Sequence, residues 1–560
     1  MQRRTGKGSA HISPPRAGGR ALTDSIDLDL EKTSRLNQKT LGVTNRIWTI
    51  LALFVFIVAL TRLILPADPS LPRHGYTDTS RLTPKNYMNN TDTDPNPFEF
   101  CPLFGPGDEI GAKHGIHALS KSRLHLGSGA RVQRVIHKAL SGLPVTISVL
   151  GGSVSSCHGA GDDPISPRCY PSRFFHWWNE VFPHPASELT NGAQRRTNSA
   201  YFSFCNAHHL PDDTDLVILE FDSDDPMDDA WIAHYELLVR SILVRPDQPA
   251  VVILGHFSPQ VIDTYGFHGP EVVHDVVAQF YDVPHISIKP VLFPSYMAKP
   301  DTIKPYYADP VLANPLGHEL LADVLIHYFQ AQICSAWAVA TGRAFDVASP
   351  LLTEPAQPDS PLMDKHGVFG GLGNRLADGA GGIDSAVKHN PHLRVPLGRV
   401  AARPGEQQRA AVEEVAPYCV SANDLINPLP PSLFTGSGWS SVHPPPGSGA
   451  VTAYDHYWSS AQPTSRLRVP IQAGAGDVAV YYLKEPLAED DSGSAVQCWV
   501  DDNTPGAVLL TNGGNYHEVT PLVAVIDHYV TRGSHFVECQ LMGEEGQPVT
   551  PFRLLGIFAS

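Results

Sequence analysis

The chain has 560 residues, too many for one compact domain and enough for two folded units with tails. Its composition is ordinary for a globular protein except for 50 prolines and 46 glycines, which point to linkers. A net charge of −16 argues against a nucleic-acid partner.

Residues 1–46 are polar, carry nine Lys/Arg against four Asp/Glu, and read as a disordered cytoplasmic tail. The next 19 residues, 47–65, are almost wholly apolar. That is close to the ~20 residues needed to span hydrocarbon. Arg62 lies one turn from the end of this run and can snorkel to the headgroups. A cleaved signal peptide is the alternative, but the run is longer than a signal-peptide core and no clear small-residue cleavage site follows it. The membrane is therefore an expected partner. The reading is a single-pass type II anchor in the Golgi, the ER or the cell surface, with the bulk lumenal or extracellular.

Residues 66–120, rich in Pro, Asp and Asn, read as an irregular stem, with a glycan site at Asn89 in Asn89-Asn90-Thr91. From 121 to 340 apolar strands alternate with amphipathic helices. Strands are predicted at 145–150, 215–221, 250–254 and 285–288. Helices are predicted near 129–140, 172–182, 198–208, 230–243, 271–281 and from 317. This rhythm means a parallel sheet covered on both faces. Residues 341–429 lose the rhythm and read as a Pro/Gly-rich linker. From 430 to 560 short β runs between Gly- and Asp-rich turns predict an antiparallel β-sandwich. All eight cysteines follow the apolar run, and an even number in an oxidising compartment suggests disulfides. Cys498 and Cys539 both fall in predicted strands and could staple the sandwich; Cys157 and Cys169 bracket the loop after residue 153. There is no Cys-x-x-Cys, so no zinc site is expected, and neither a metal nor a cofactor is assigned.

The chemistry centres on Gly151-Gly152-Ser153, directly after the strand 145–150. A serine at the C-terminal end of a parallel strand is where an α/β fold places a nucleophile. The bland alternative is a tight turn that needs small residues. Three more segments accompany it: Thr190-Asn191-Gly192-Ala193, Leu219 to Asp225, and the loop Tyr307 to His318.

On these four segments the region 121–340 resembles the SGNH hydrolase superfamily, whose members use a Ser-His-Asp triad on a flavodoxin-like three-layer α/β/α fold. More narrowly, the chain is similar to the fungal and algal membrane-anchored proteins called capsule-associated, which join such a domain to a C-terminal β-domain. The resemblance implies Ser153 as nucleophile, with oxyanion-hole donors at Ser153, at Gly192 and at the position of Asp224. It implies Asp309 as the acid that orients the base. Two positions depart from the pattern. Asp224 stands where the superfamily has a neutral asparagine, and a carboxylate there repels an oxyanion unless protonated or paired. Leu312 stands where the superfamily has its catalytic histidine. His318 is then the substitute base, with His256 and His158 as further candidates. A serine esterase or acyl-transfer protein acting on carbohydrate follows. The alternative is a catalytically inactive relative that binds glycans or scaffolds glycan-modifying enzymes. A glycosyltransferase fits the anchor, but Asp222-Ser-Asp224 has the metal-motif spacing without a nucleotide-binding context.

Overall fold

The computed structural model describes residues 39–40, 43–64, 79, 81–90, 96–347, 368–369, 394–395, 416–422, 435–444, 453–474, 476–486, 493–514 and 519–560. The tail up to residue 38 and most of the linker expected over 341–429 lie outside the described residues. The chain divides into two units, Met1–Arg73 and His74–Ser560.

In the first unit the apolar run forms helix α1, Asn45–Ile64, 20 residues long. Ile50, Leu53, Phe54 and Phe56 are all more than half exposed on it. Among the described residues no helix is long and apolar enough to cross a membrane; the side chains of α1 beyond Phe56 lie outside that set.

The second unit opens with material expected to be stem but folded into the core. Tyr87 and Phe98 are buried, stack near each other at 5.0 Å, and pack against Trp337. A Cys101–Cys334 bridge fastens this segment to the last helix. Short helices α2 (Glu109–His114) and α3 (Ile116–Lys121) follow. The α/β domain therefore begins near Tyr87 rather than at 121.

Its sheet has six strands: β1 (Arg123–His125), β2 (Thr146–Gly151), β3 (Glu188–Asn191), β4 (Leu216–Glu220), β5 (Ala250–Gly255) and β6 (His285–Ser287). The order is β1-β6-β5-β4-β2-β3. All pairs are parallel except β1 with β6. Apart from the antiparallel edge strand β1, this is the flavodoxin order. Strands β4 and β5 are buried throughout, as a sheet covered on both faces requires.

Alternate side chains of each strand feed two different cores. Ile147, Val149, Ile218, Val252 and Leu254 meet helices α4 (Ala130–Leu140) and α5 (Tyr170–Val181) and the long C-terminal helix Pro315–Ala340. Leu150, Val217, Leu219, Val251 and Ile253 meet α6 (Ser199–Cys205), α7 (Ile232–Leu243) and α9 (Glu271–Tyr281) on the other face. Helix α8 (Pro259–Tyr265) lies between α7 and α9 in the chain, and α10 (Lys289–Ala298) follows β6. The Pro315–Ala340 helix is α11.

The C-terminal domain is two packed sheets. The first contains β8 (Thr435–Ser437), β11 (Arg466–Ala473), β17 (Gly533–Leu541), β13 (Ala495–Val500) and β14 (Val508–Thr511), in that order. The second is built on β9 (Ser440–Val442), β10 (Tyr457–Ser460), β18 (Phe552–Ala559), β12 (Gly476–Pro486) and the two-residue β15 (Gly513–Gly514). Strand β16 (Thr520–Val530) pairs with β12, and β7 (Tyr418–Ser421), from the expected linker, pairs with β18. Among the described pairings of this C-terminal domain only β12 with β15 is parallel. Leu467, Val469 and Ile471 of one sheet meet Val480, Tyr482 and Ile557 of the other. The opposite side of the second sheet is not solvated: Ala479, Tyr481, Leu483 and Phe558 join the α6–α7 core. This explains why β12 is buried on both faces. A Cys205–Cys419 bridge crosses the same interface.

Candidate active site

Ser153 sits in the turn after β2, and the segment Phe221–Asp225 follows the neighbouring strand β4. The order reverses at β2, so these two loops flank the topological switch point, where open α/β sheets bind ligands. No helix begins at Ser153. The chain continues in turns, with the Ser156 N–H on the Gly152 carbonyl at 3.0 Å, until α5 starts at Tyr170. The Cys157–Cys169 bridge closes that loop, and Cys498–Cys539 links β13 to β17.

The side chain of Ser153 is largely buried and fully engaged. Its hydroxyl accepts from the Arg196 N–H at 2.8 Å and donates to Asp224 Oδ1 at 3.3 Å. Its own N–H donates to Asp224 Oδ2 at 3.2 Å. Asp224 can come this close because residue 152 is glycine; a Cβ there would overlap its carboxylate. Burial, followed by the charge of Asp225, pushes the Asp224 carboxyl up to about 7. The Asp224 carboxylate thus occupies the amide that a developing oxyanion would use.

The other residues picked out by the sequence are placed elsewhere. The Gly192 N–H, expected to line an oxyanion hole, donates to the Val149 carbonyl at 2.9 Å and is used up by the sheet. Glycine is required there because a Cβ would run into His209. Asp309, expected to orient the base, is exposed and accepts from the Val311 and Leu312 amides at 2.8 and 2.7 Å. It shapes its own loop and holds no histidine. Leu312 is buried in the α5–α11 core, facing the loop that contains Gly159. His318, the substitute base, is fully buried at the start of α11. Its Nδ1 accepts from the Tyr170 N–H at 3.3 Å, its ring stacks on Tyr170, and burial holds it neutral, with a pKa lowered to about 3. His158 pairs with Asp162 at 2.7 Å on the surface. His256 donates from Nε2 to the Val311 carbonyl at 3.1 Å. None of these imidazoles bonds to Ser153.

A cluster beneath the serine is absent from the sequence reading. His274 on α9 bonds through Nδ1 to Asp222 at 2.8 Å and through Nε2 to Asp225 at 2.9 Å. These two carboxylates outweigh the effect of burial and raise its pKa to about 9, so it is an imidazolium. Tyr235 stacks on it at 3.9 Å. Asp225 also accepts from the Ser199 N–H at 2.8 Å. Glu220, completely buried, accepts from Ser155, which is itself bonded to Tyr170, each at 2.8 Å. Burial and the nearby Asp224 push its carboxyl far up, so it is neutral. The acidic run Asp222-Ser-Asp-Asp225 was the visible signal; its partner His274 lies 49 residues from Asp225 and could not be matched to it by spacing. Among the described residues no group of three His, Cys, Asp or Glu side chains could hold a metal ion.

The fold is that of a two-domain protein: an α/β/α domain with its Ser153 loop at the switch point, joined to a β-sandwich. The particular likeness is to a two-domain esterase (CEX) active on acetylated mannans, with a TM-score of 0.53 and 19% identity over 79% of this chain and 98% of that one. The same esterase co-crystallised with mannopentaose gives a TM-score of 0.52 and 17% identity over 79% and 97%. At this identity the likeness is one of fold. No protein-family model and no curated protein matches the sequence.

Proposed function

We propose that this is a membrane-anchored, carbohydrate-directed protein of the SGNH-like esterase fold that binds glycan without histidine-driven ester hydrolysis. The observation that carries the reading is the hydrogen bonding of Ser153: its partners are the Asp224 carboxylate and the Arg196 amide, with no imidazole. A serine hydroxyl needs a base within hydrogen-bond reach to become a nucleophile. The carbohydrate preference is supported by the shared two-domain fold with an esterase active on acetylated mannans. The anchor is supported by the apolar helix α1 and its basic flank, which favour a cytoplasmic N-terminus and a secretory-pathway location with Asn89 outside. Titrating the full chain in detergent with mannopentaose should give saturable heat. No binding to that probe or to a panel of other neutral oligosaccharides removes the reading.

A second reading rests on Asp224. With its carboxyl raised to about 7 and bonded to the serine hydroxyl, it is itself a base poised near neutrality. In that case the protein is a slow esterase or acyl-transfer enzyme whose Ser153-dependent rate climbs as pH rises through about 7. Asp224→Asn abolishes the rate on this reading.

A further inference from the structure

Both groups that engage Ser153 are tied to one side chain, Asp225. The turn after β4 is drawn tight: the Asp224 and Asp225 amides donate to the Phe221 carbonyl at 3.0 and 2.9 Å. Asp224 faces the serine. Asp225 is buried and spends its two oxygens in different directions. Oδ1 accepts from the Ser199 N–H at 2.8 Å, at the start of α6. Oδ2 accepts from His274 Nε2 at 2.9 Å. Ser199 lies three residues after Arg196, whose N–H donates to the Ser153 hydroxyl. Arg196 has a φ of +52°, in the left-handed region, and a non-glycine residue stays there only where its surroundings fix it.

His274 is fully buried on α9, and its ring is fixed on three sides. Nδ1 bonds Asp222 at 2.8 Å, Nε2 bonds Asp225, and Tyr235 of α7 stacks on its face. Two carboxylate partners make both ring nitrogens donors, which requires the doubly protonated imidazolium. The groups around it are otherwise quiet. Glu220, on the same strand end as Asp222, is neutral, and burial also keeps Tyr235 and His256 uncharged. On its own helix Glu271 is paired with Lys289 and Asp275 with His285. Removing the His274 proton leaves two buried carboxylates with one N–H between them, an uncompensated charge. Asp225 cannot shift to find another donor without pulling on Asp224, its neighbour in the chain, and on Ser199.

We propose that His274 is the positioning residue of the Ser153 site: its imidazolium clamps Asp225, which sets the Asp224 carboxyl and the Arg196 amide on the serine. As a statement about glycan binding this rests on the reading above, in which Ser153 lies at the binding site. The test is a pH titration of the full chain in detergent, followed by ¹³C NMR of serine, aspartate and histidine. The Ser153 Cβ and Asp224 carboxyl signals are identified by their loss in Ser153→Ala and Asp224→Asn. Above the titration of Asp224 itself near 7, both signals should show a second step near 9, together with the His274 ring. His274→Gln should lose that upper step. Asp225→Asn, which removes one of the two acceptors, should lose it at Ser153 while the His274 ring still titrates; this variant keeps the test where His274→Gln does not fold. Ser153 and Asp224 signals that stay still while the His274 ring titrates overturn the proposal, as does an upper step that survives in Asp225→Asn. Calorimetry with mannopentaose separates the two readings. Absence of binding, with the coupled steps present, removes the glycan reading and leaves His274 as the positioning residue. Binding with no coupled step removes only the role of His274.

Discussion

Ser153 and Asp224 form one unit, and the carboxyl explains more than the hydroxyl does. An acid whose pKa rises from the ordinary carboxylate range to about 7 on folding destabilises the native state once it is ionised. Between about pH 4 and 7 the folded protein keeps a proton that the unfolded chain has lost, so this group's contribution to stability falls as pH rises through that window. Asp224→Asn removes the titration and keeps the shape. Relative to wild type it should gain on the order of a few kcal/mol between pH 4.5 and pH 8. Urea unfolding at the two pH values checks this, and a difference between the proteins that is independent of pH contradicts the assignment. His274 runs the other way. Its pKa is raised to about 9, so its contribution is complete below about pH 6.5 and is lost as pH climbs through 9. The imidazole carbon shifts of His274 should show a single titration step near pH 9; a step near 6.5 would mean the two carboxylates do not hold it.

At the scale of elements, the loop Tyr307–Asn314 decides what the serine can do. Asp309 and Leu312 have the spacing of an acid and a base, but the loop folds on itself and the leucine belongs to the core. Leu312→His should place an imidazole beside the loop that follows Ser153 and raise Ser153-dependent aryl acetate hydrolysis at least tenfold above wild type. The gain should be partial, because Asp224 still holds the Ser153 amide, and Asp224→Asn should add to it. An inactive but folded Leu312→His would mean that the loop is set too far from the serine. The elements most legible in the sequence were those with continuous apolar runs, such as β2, β4 and β5. Strand β11 is hard to read from sequence because Arg466, Arg468 and Gln472 fill its exposed alternate positions and Pro470 reads as a breaker, although Leu467, Val469, Ile471 and Ala473 form a complete buried face. The segment 66–120 reads as a stem for a related reason: Tyr87 and Phe98 are isolated aromatics in polar sequence, and their core partner Trp337 lies more than 200 residues away. Ser153 was legible from its strand and glycines. Its partners were not, since Arg196 is 43 and Asp224 is 71 positions distant and only the parallel topology brings them in.

Across the second unit, the β-sandwich is more than an appended module. Its second sheet completes the α6–α7 core, a disulfide crosses the junction, and Arg196 reaches Tyr454 at 3.1 Å on the sandwich side. Because Arg196 also donates its N–H to Ser153, the loop over the serine is braced by both domains. The sandwich is therefore part of what positions the site. For the whole chain, protease treatment of sealed microsomes should remove the basic tail and spare everything after residue 66, with Asn89 carrying glycan. Digestion of the large fragment without detergent reverses the orientation.

The central claim is that no histidine activates Ser153. It is tested most directly by aryl acetate hydrolysis with the full chain between pH 5 and 9, alongside Ser153→Ala and His318→Ala. The account predicts that His318→Ala, where folded, behaves as wild type at every pH, with any Ser153-dependent rate confined to pH above about 7. A Ser153-dependent turnover that is already high at pH 6.5 and disappears in a folded His318→Ala would contradict it.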